Sequence, residues 1–408
     1  MNQVEAWKAA KHGFDVWGDV EAHARAGTPM TQIAAADLER MKWYGIFCRG
    51  PAGDVHFMIR VRIPGCELTA PQARAVAEVG RLGERLLDVT TRGNFEVSGL
   101  RITDLPAAAA RLEAEGLSAR QTGHDNVRNV MTHPWAGLDP EELVDVRPLC
   151  RALTDVFLGS RPLADLPREV NLAVDGRRAH SARCWAQDTG FVAARRVEGS
   201  VAFRWLLAGT EGPGSRPAWA VPAWVREDQA ADVLRQTLHL YREQGPREDR
   251  DRARLRDFVD QLGVAEFLRR VEARLGYGLE RTVASAPPFR ARDDFVGWFP
   301  QKQRGLWAIG VHLPGGRLTR EQLAGLADLA ELYGDGTLRT AYGQGVAVPN
   351  LPMHSKLAAL RMLGRLGLTA EAGPIAGRPL APDPRRLPCT PEDNPASESA
   401  FACFSATP

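Results

Sequence analysis

The stretch GIFCRGPAGDVHFMIRVRIPGCELT, which begins at Gly45, returns in altered form as GWFPQKQRGLWAIGVHLPGGRLT from Gly297. Pro64, Gly65, Leu68 and Thr69 align with Pro314, Gly315, Leu318 and Thr319 at a constant offset of 250. Thr90 and Gly93 align with Thr340 and Gly343 at the same offset. A duplication this long must fold twice in the same way. Each copy opens with an alternating apolar stretch, Val55 to Ile63 and Leu306 to Leu313, which reads as a strand closed by a Pro-Gly turn. A helix should follow over Ala70 to Leu86 and over Arg320 to Tyr333, with Thr69 and Thr319 as N-caps. A second strand and helix complete each copy, ending at Glu115-Gly116-Leu117 and Leu366-Gly367-Leu368. The fold class is therefore α+β, with two ferredoxin-like repeats related by pseudo-twofold symmetry.

Between the copies lies a different module. It contains DLPREVNLAV, a strand, and PREDRDRARLRDFVDQLG, a charged amphipathic helix. The expected organisation is an N-terminal arm (1–40), repeat 1 (41–118), an intervening α/β module (119–290), repeat 2 (291–369) and a Pro/Ser-rich tail (370–408). That tail is too rich in Pro, Ser and Ala to be a second copy of the intervening module.

At 408 residues with a net charge of +2, the chain carries no general polyanion-binding surface, so nucleic acid is not an expected partner. Its basic residues are almost all Arg, whose donor fork suits carboxylates and oxyanions. No run of about 18 apolar residues marks a membrane span, and the start lacks the pattern of a signal peptide, so a cytoplasmic location is expected. The six cysteines suggest no disulfide scaffold.

The blocks FMIRVRIPG, LDVTTRGNFEV, DNVRNVMTHPWAGLDPEELVDVRPL, LPREVNLAV and QDTGFVAA resemble, in order, those of the sirohaem-containing sulfite and nitrite reductases. Members of that superfamily run repeat, module, repeat, module. The resemblance implies an oxyanion held on a haem iron inside a cationic pocket. It assigns Arg60 and Arg128 to the bound anion. Arg92, helped by Thr90, Thr91 and Asn94, falls to the sirohaem carboxylates, with Arg62 and Arg168 as further partners. Read without the family, Arg60 and Arg62 could instead be outward residues of an edge strand, and Arg128 could brace a loop.

Two departures bear on chemistry. Where the family's LPR motif continues with two lysines aimed at the substrate, this chain has Glu169 and Asn171, which should weaken or reverse anion binding. The family holds its iron–sulfur cluster through two short-spaced pairs of cysteines. Here Cys48, Cys66, Cys150, Cys184, Cys389 and Cys403 are scattered, so a [4Fe-4S] cluster is not supported by this chain and no metal ligand is assigned. His180 and Cys184 have i, i+4 spacing without further ligands, and His124 and His133 flank Arg128 as proton relays or as structural histidines. The segment Ala208 to Gly212 lacks phosphate-loop spacing.

Three functions remain open. The first is a sirohaem-binding oxidoreductase component, incomplete alone, which acts on a small anion with cluster thiolates from a partner polypeptide and an electron donor that cannot be read. The second is a non-catalytic pseudo-enzyme or truncated reductase that binds partners. The third is a tetrapyrrole enzyme resembling precorrin-3B synthase.

Overall fold

The structure, a computed structural model, describes residues 2–49, 56–83, 86–177, 182–211, 215–283 and 295–371. His180, Gly212, Cys389, Cys403 and the tail beyond Glu371 lie outside them. The described strands begin with β1 (Ile46–Arg49), β2 (His56–Val61), β3 (Glu67–Thr69), β4 (Leu86–Val89) and β5 (Phe95–Leu100). Then come β6 (Val127–Met131), β7 (Val170–Asp175), β8 (Thr189–Arg195), β9 (Val201–Leu207) and β10 (Trp219–Val225). The last are β11 (Gly297–Pro300), β12 (Leu306–Val311), β13 (Arg317–Thr319), β14 (Thr337–Ala341) and β15 (Gly345–Pro352). The helices start with α1 (Gln3–Ala10), α2 (Trp17–Ala26), α3 (Ala35–Met41), α4 (Ala70–Val79), α5 (Leu105–Glu113) and α6 (Arg147–Phe157). They continue with α7 (Glu227–Gln244), α8 (Leu255–Leu262), α9 (Val264–Leu275), α10 (Arg320–Tyr333) and α11 (Lys356–Arg365). Among the described residues no helix is long and apolar enough to cross a membrane.

One compact unit takes in Val16–Arg120 and the described residues from 295 onward, and thus holds both repeats. Its two five-stranded sheets run β1-β2-β5-β4-β13 and β11-β12-β15-β14-β3. Each repeat lends its third strand to the other's sheet. Leu318 pairs with Leu87, and Leu68 pairs with Leu338 in the reciprocal contact. Helices α4 and α10 pack together over the joint core, which draws Val76, Leu87, Val97, Leu326, Leu338 and Val348 from both copies. Thr69 and Thr319 cap these helices, as the sequence predicts, and the structure adds complete capping boxes with Gln72 and Gln322.

Helix α10 spans the predicted residues, but α4 stops at Val79 instead of reaching Leu86. Gly83 explains the early end, since a Cβ there would stand 2.1 Å from the Ser98 carbonyl oxygen. The chain must leave the helix to run that close to β5.

The other unit joins the residues up to Asp15 with the described residues from Gln121 to Val283. Its sheet runs β10-β9-β8-β7-β6, parallel across β6, β7 and β8 and antiparallel beyond. Valines and leucines of β6 and β7, among them Val127, Val130, Val170 and Leu172, meet Leu153, Leu234 and Phe267 in one core. The strand predicted in DLPREVNLAV is β7. PREDRDRARLRDFVDQLG was expected to be one helix, yet it forms a 3₁₀ turn at Arg250–Arg252 and then α8. Asp249 accepts from the Asp251 amide, and Arg254 is extended (φ −67°, ψ 155°). The break directs Arg250 and Arg254 to buried carboxylates, a stronger draw for a guanidinium than a solvated helix face.

Candidate functional site

In the unit of the two repeats, the expected site residues gather where β2 meets the turn between β4 and β5. Strand β2 lies between β1 and β5, so Arg60 is not on an edge strand, and Arg62, just past β2, pairs with Ser118 in an isolated bridge. Arg60 stands opposite Glu96 in register and binds its carboxylate at 2.8 Å, with its guanidinium also over the Phe47 ring. Arg62 is only 1% exposed, and its Nη2 donates to the Arg120 carbonyl at 3.4 Å.

The Thr90–Asn94 turn is built by its own side chains. The Thr90 hydroxyl accepts from the amides of Arg92 and Asn94, and Asn94 Oδ1 accepts from the Ile63 amide. Gly93 has φ 65°, and its carbonyl accepts from the Thr340 hydroxyl at 2.7 Å. A Cβ at Gly93 would approach Cys66 Sγ to 2.7 Å, so glycine is required there for both backbone and space. Thr91 is exposed and Arg92 partly exposed at the turn's tip.

In the other unit, Arg128, Arg168, Glu169 and Asn171 come together because β6 and β7 are adjacent parallel strands, with Val127 in register with Val170. One Arg128 nitrogen braces the preceding loop by donating to the Thr122 carbonyl at 2.6 Å. Glu169 is not a bare carboxylate. Arg254 Nη1 donates to its Oε1 at 3.1 Å, and Arg168 Nε lies 3.8 Å from its Oε2. Arg254 Nη2 also binds Asp188, which is fully buried and accepts the Asn171 amide at 2.8 Å.

Burial opposes ionisation of Glu169, but Arg254, followed by Arg168 and Arg128, outweighs it and holds the carboxyl at about 2. Glu169 is thus not the unopposed negative charge that the Lys-to-Glu departure suggests. Arg254 is shared between Glu169 and Asp188, and the charges of Arg168 and Arg128 add to its effect on Glu169.

A second buried cluster supports the same strand. Asp125, three residues before Arg128, binds Lys8 at 2.6 Å and Arg250 at 2.7 Å. Burial resists its ionisation, but His124, Lys8 and Arg250 keep the carboxyl well below the usual range. His124 Nδ1 lies 3.4 Å from this carboxylate, and His133 Nδ1 accepts from the Trp135 amide, so both histidines have structural contacts.

Sequence reasoning did not single out Asp125, Asp188, Arg250, Arg254 or Glu96. Asp125 and Asp188 stood inside quoted motifs, whereas Arg250 and Arg254 were hidden in a charged run that reads as a solvated face.

The lowered pKa of Glu169 has a consequence for stability. A carboxyl held below its ordinary value of 4.5 stabilises the fold above that pH, and the contribution is lost as pH falls toward its folded value of about 2. Chemical unfolding of wild type and Glu169→Gln between pH 6 and pH 3 should show a gap that shrinks with acidification, from a limit of about 3 kcal/mol. A gap independent of pH would contradict the assignment.

Among the described residues no group of three or more His, Cys, Asp or Glu side chains could hold a metal ion. Cys150 and Cys184 are buried, and burial followed by nearby Asp175 pushes the Cys184 thiol up, away from a thiolate.

Residues 123–278 match the nitrite and sulphite reductase 4Fe-4S domain, and residues 50–115 and 299–366 match the nitrite/sulfite reductase ferredoxin-like half domain. The ferredoxin–nitrite reductase of Synechococcus elongatus is 36% identical over 361 residues, covering 86% of this chain and 70% of that protein. The chloroplastic ferredoxin–nitrite reductase of Zea mays is 35% identical over 368 residues, covering 86% of this chain and 64% of that protein. The chain thus spans about two thirds of the length of these relatives. The structure of the NirA protein of Mycobacterium tuberculosis superposes with a TM-score of 0.85 at 25% identity, covering 91% of this chain and 70% of that one. The duplicated α+β fold and the ordered motif blocks agree with all three comparisons, and the chain belongs to the nitrite and sulphite reductase family.

Proposed function

We propose that this chain binds sirohaem through its arginines and presents a small oxyanion, nitrite in preference to sulfite, for reduction. The observation that carries the reading is the gathering of guanidinium groups at one carboxylate, with Arg254 at 3.1 Å and Arg168 at 3.8 Å from Glu169 and the charge of Arg128 acting on it as well. The donor set fits a carboxylate-bearing tetrapyrrole. Arg168 Nε is buried without a hydrogen-bond acceptor, and Arg92 is offered on a turn whose backbone is fixed by Thr90 and Asn94. Arg92, Thr90, Thr91, Asn94, Arg62 and Arg168 would hold the sirohaem carboxylates, and Arg60 and Arg128 would face the anion.

When bound, sirohaem supplies an iron that accepts the anion and passes electrons to it. The chain's own residues hold and orient. Arg128 supplies charge at the start of β6, and Asp188 fixes the Asn171 amide so that the start of β7 keeps its place.

The described cysteines do not fit a [4Fe-4S] cluster. Cluster thiolates would come from outside the described residues or from another polypeptide. A reduced ferredoxin-type protein is the proposed electron donor, since the relatives are named for ferredoxin.

Expression with sirohaem synthesis should yield a chain with visible haem absorption, and Arg92→Gln should lower its haem content about tenfold. Colourless wild-type protein would end this reading.

A further inference from the structure

Three cations converge on a carboxylate that the chain itself supplies. Arg254 Nη1 donates to Glu169 Oε1 at 3.1 Å, Arg168 Nε lies 3.8 Å from Oε2, and the charge of Arg128 also acts on it. A carboxylate and a nitrite ion are alike to such a group. Each is planar, carries one negative charge and offers two oxygens on one central atom, which is the shape a guanidinium fork binds.

Arg254 does not depend on Glu169 for its position, because its Nη2 is held by the buried Asp188 at 2.9 Å. Asp188 is in turn tied to the Asn171 amide. The Tyr241 hydroxyl donates to the Ala253 carbonyl and so fixes the residue before Arg254. Taking the Glu169 charge away would therefore leave Arg254 in place.

We propose that Glu169 is a tethered counter-anion, which fills within this chain the place among Arg128, Arg168 and Arg254 that a planar monoanion such as nitrite or formate would take. The proposal rests on the anion-site reading above and adds what controls that site. An incoming anion must displace the Glu169 carboxylate or share its cations, so wild type holds nitrite less tightly than these guanidinium groups would without Glu169. A neutral side chain at 169 converts the same group into an open receptor.

The test uses the full chain in calorimetric titration with sodium nitrite. Glu169→Gln should bind nitrite at least about tenfold more tightly than wild type, since the competing like charge is gone. Unchanged or weaker binding in folded Glu169→Gln overturns the proposal. Glu169→Ala is the second variant, with the cavity open for a replacement carboxylate. Sodium formate should raise its unfolding midpoint by about 3 °C more than that of wild type, through binding to the folded state alone. The titration decides where Glu169→Gln folds; where it does not, equal formate effects on Glu169→Ala and wild type overturn the proposal. Neither readout uses haem or turnover. A chain that takes up no sirohaem defeats the functional reading, whereas this one is decided by the anion measurements.

Discussion

Arg254→Met is expected to destabilise the unit that carries it by about 4 kcal/mol, lowering its unfolding midpoint by roughly 10 °C. The substitution keeps an unbranched apolar stem of similar bulk, so the loss comes from the charge. Asp188 is fully buried and Glu169 mostly so, and both take a nitrogen of this one side chain at 2.9 and 3.1 Å. Removing one partner of a buried ion pair costs more than the pair contributes, because the remaining charge has neither water nor a counter-ion. Here two carboxylates lose their shared cation. Arg254→Lys should fall between wild type and Arg254→Met, since an ammonium restores charge without the fork that reaches both anions. Calorimetry on the full chain measures both. A loss below about 1 kcal/mol for Arg254→Met, the range of an exposed pair, would show that water already screens the group.

The repeat made the architecture legible, and the reason is physical. Matched Pro-Gly turns and matched Thr caps are local signals, set by residues two or three positions apart, so Thr69 and Thr319 could be assigned without knowing what surrounds them. The exchange of β3 and β13 between the sheets could not be assigned in this way. It pairs residues about 250 positions apart, and nothing in ELT or RLT names its partner strand.

The candidate site divides in the same manner. Arg60, Arg128 and Glu169 stood in family blocks and could be numbered from them. Whether Glu169 reverses the local charge depended on Arg254, 85 positions away in a segment whose spacing suggested a solvated helix. A substitution of Glu for Lys reads as a change of two charges in the sequence. In the fold the carboxylate is paired with Arg254 at 3.1 Å, and Arg168 and Arg128 also favour its ionised form.

The exchanged strands give the second large effect. Glu67→Met should destabilise the unit of the two repeats by about 3 kcal/mol, a fall of roughly 8 °C in its midpoint. Glu67 on β3 stands in register with Arg339 on β14 and binds its Nη2 at 2.7 Å. Arg339 is 1% exposed, so loss of this carboxylate leaves a guanidinium that cannot turn to water. The symmetry-related contact has the charges exchanged. There the lent strand β13 carries Arg317, and the receiving strand β4 carries Asp88, bound at 3.1 Å. Each repeat's edge is thus closed by a strand and an ion pair from the other copy. If the two edges act as one structure, Glu67→Met should lower a single cooperative transition that includes both sheets, measured by calorimetry and by amide exchange at Leu318 as well as at Leu68. Faster exchange confined to Leu68 and its sheet would show instead that the repeats unfold separately.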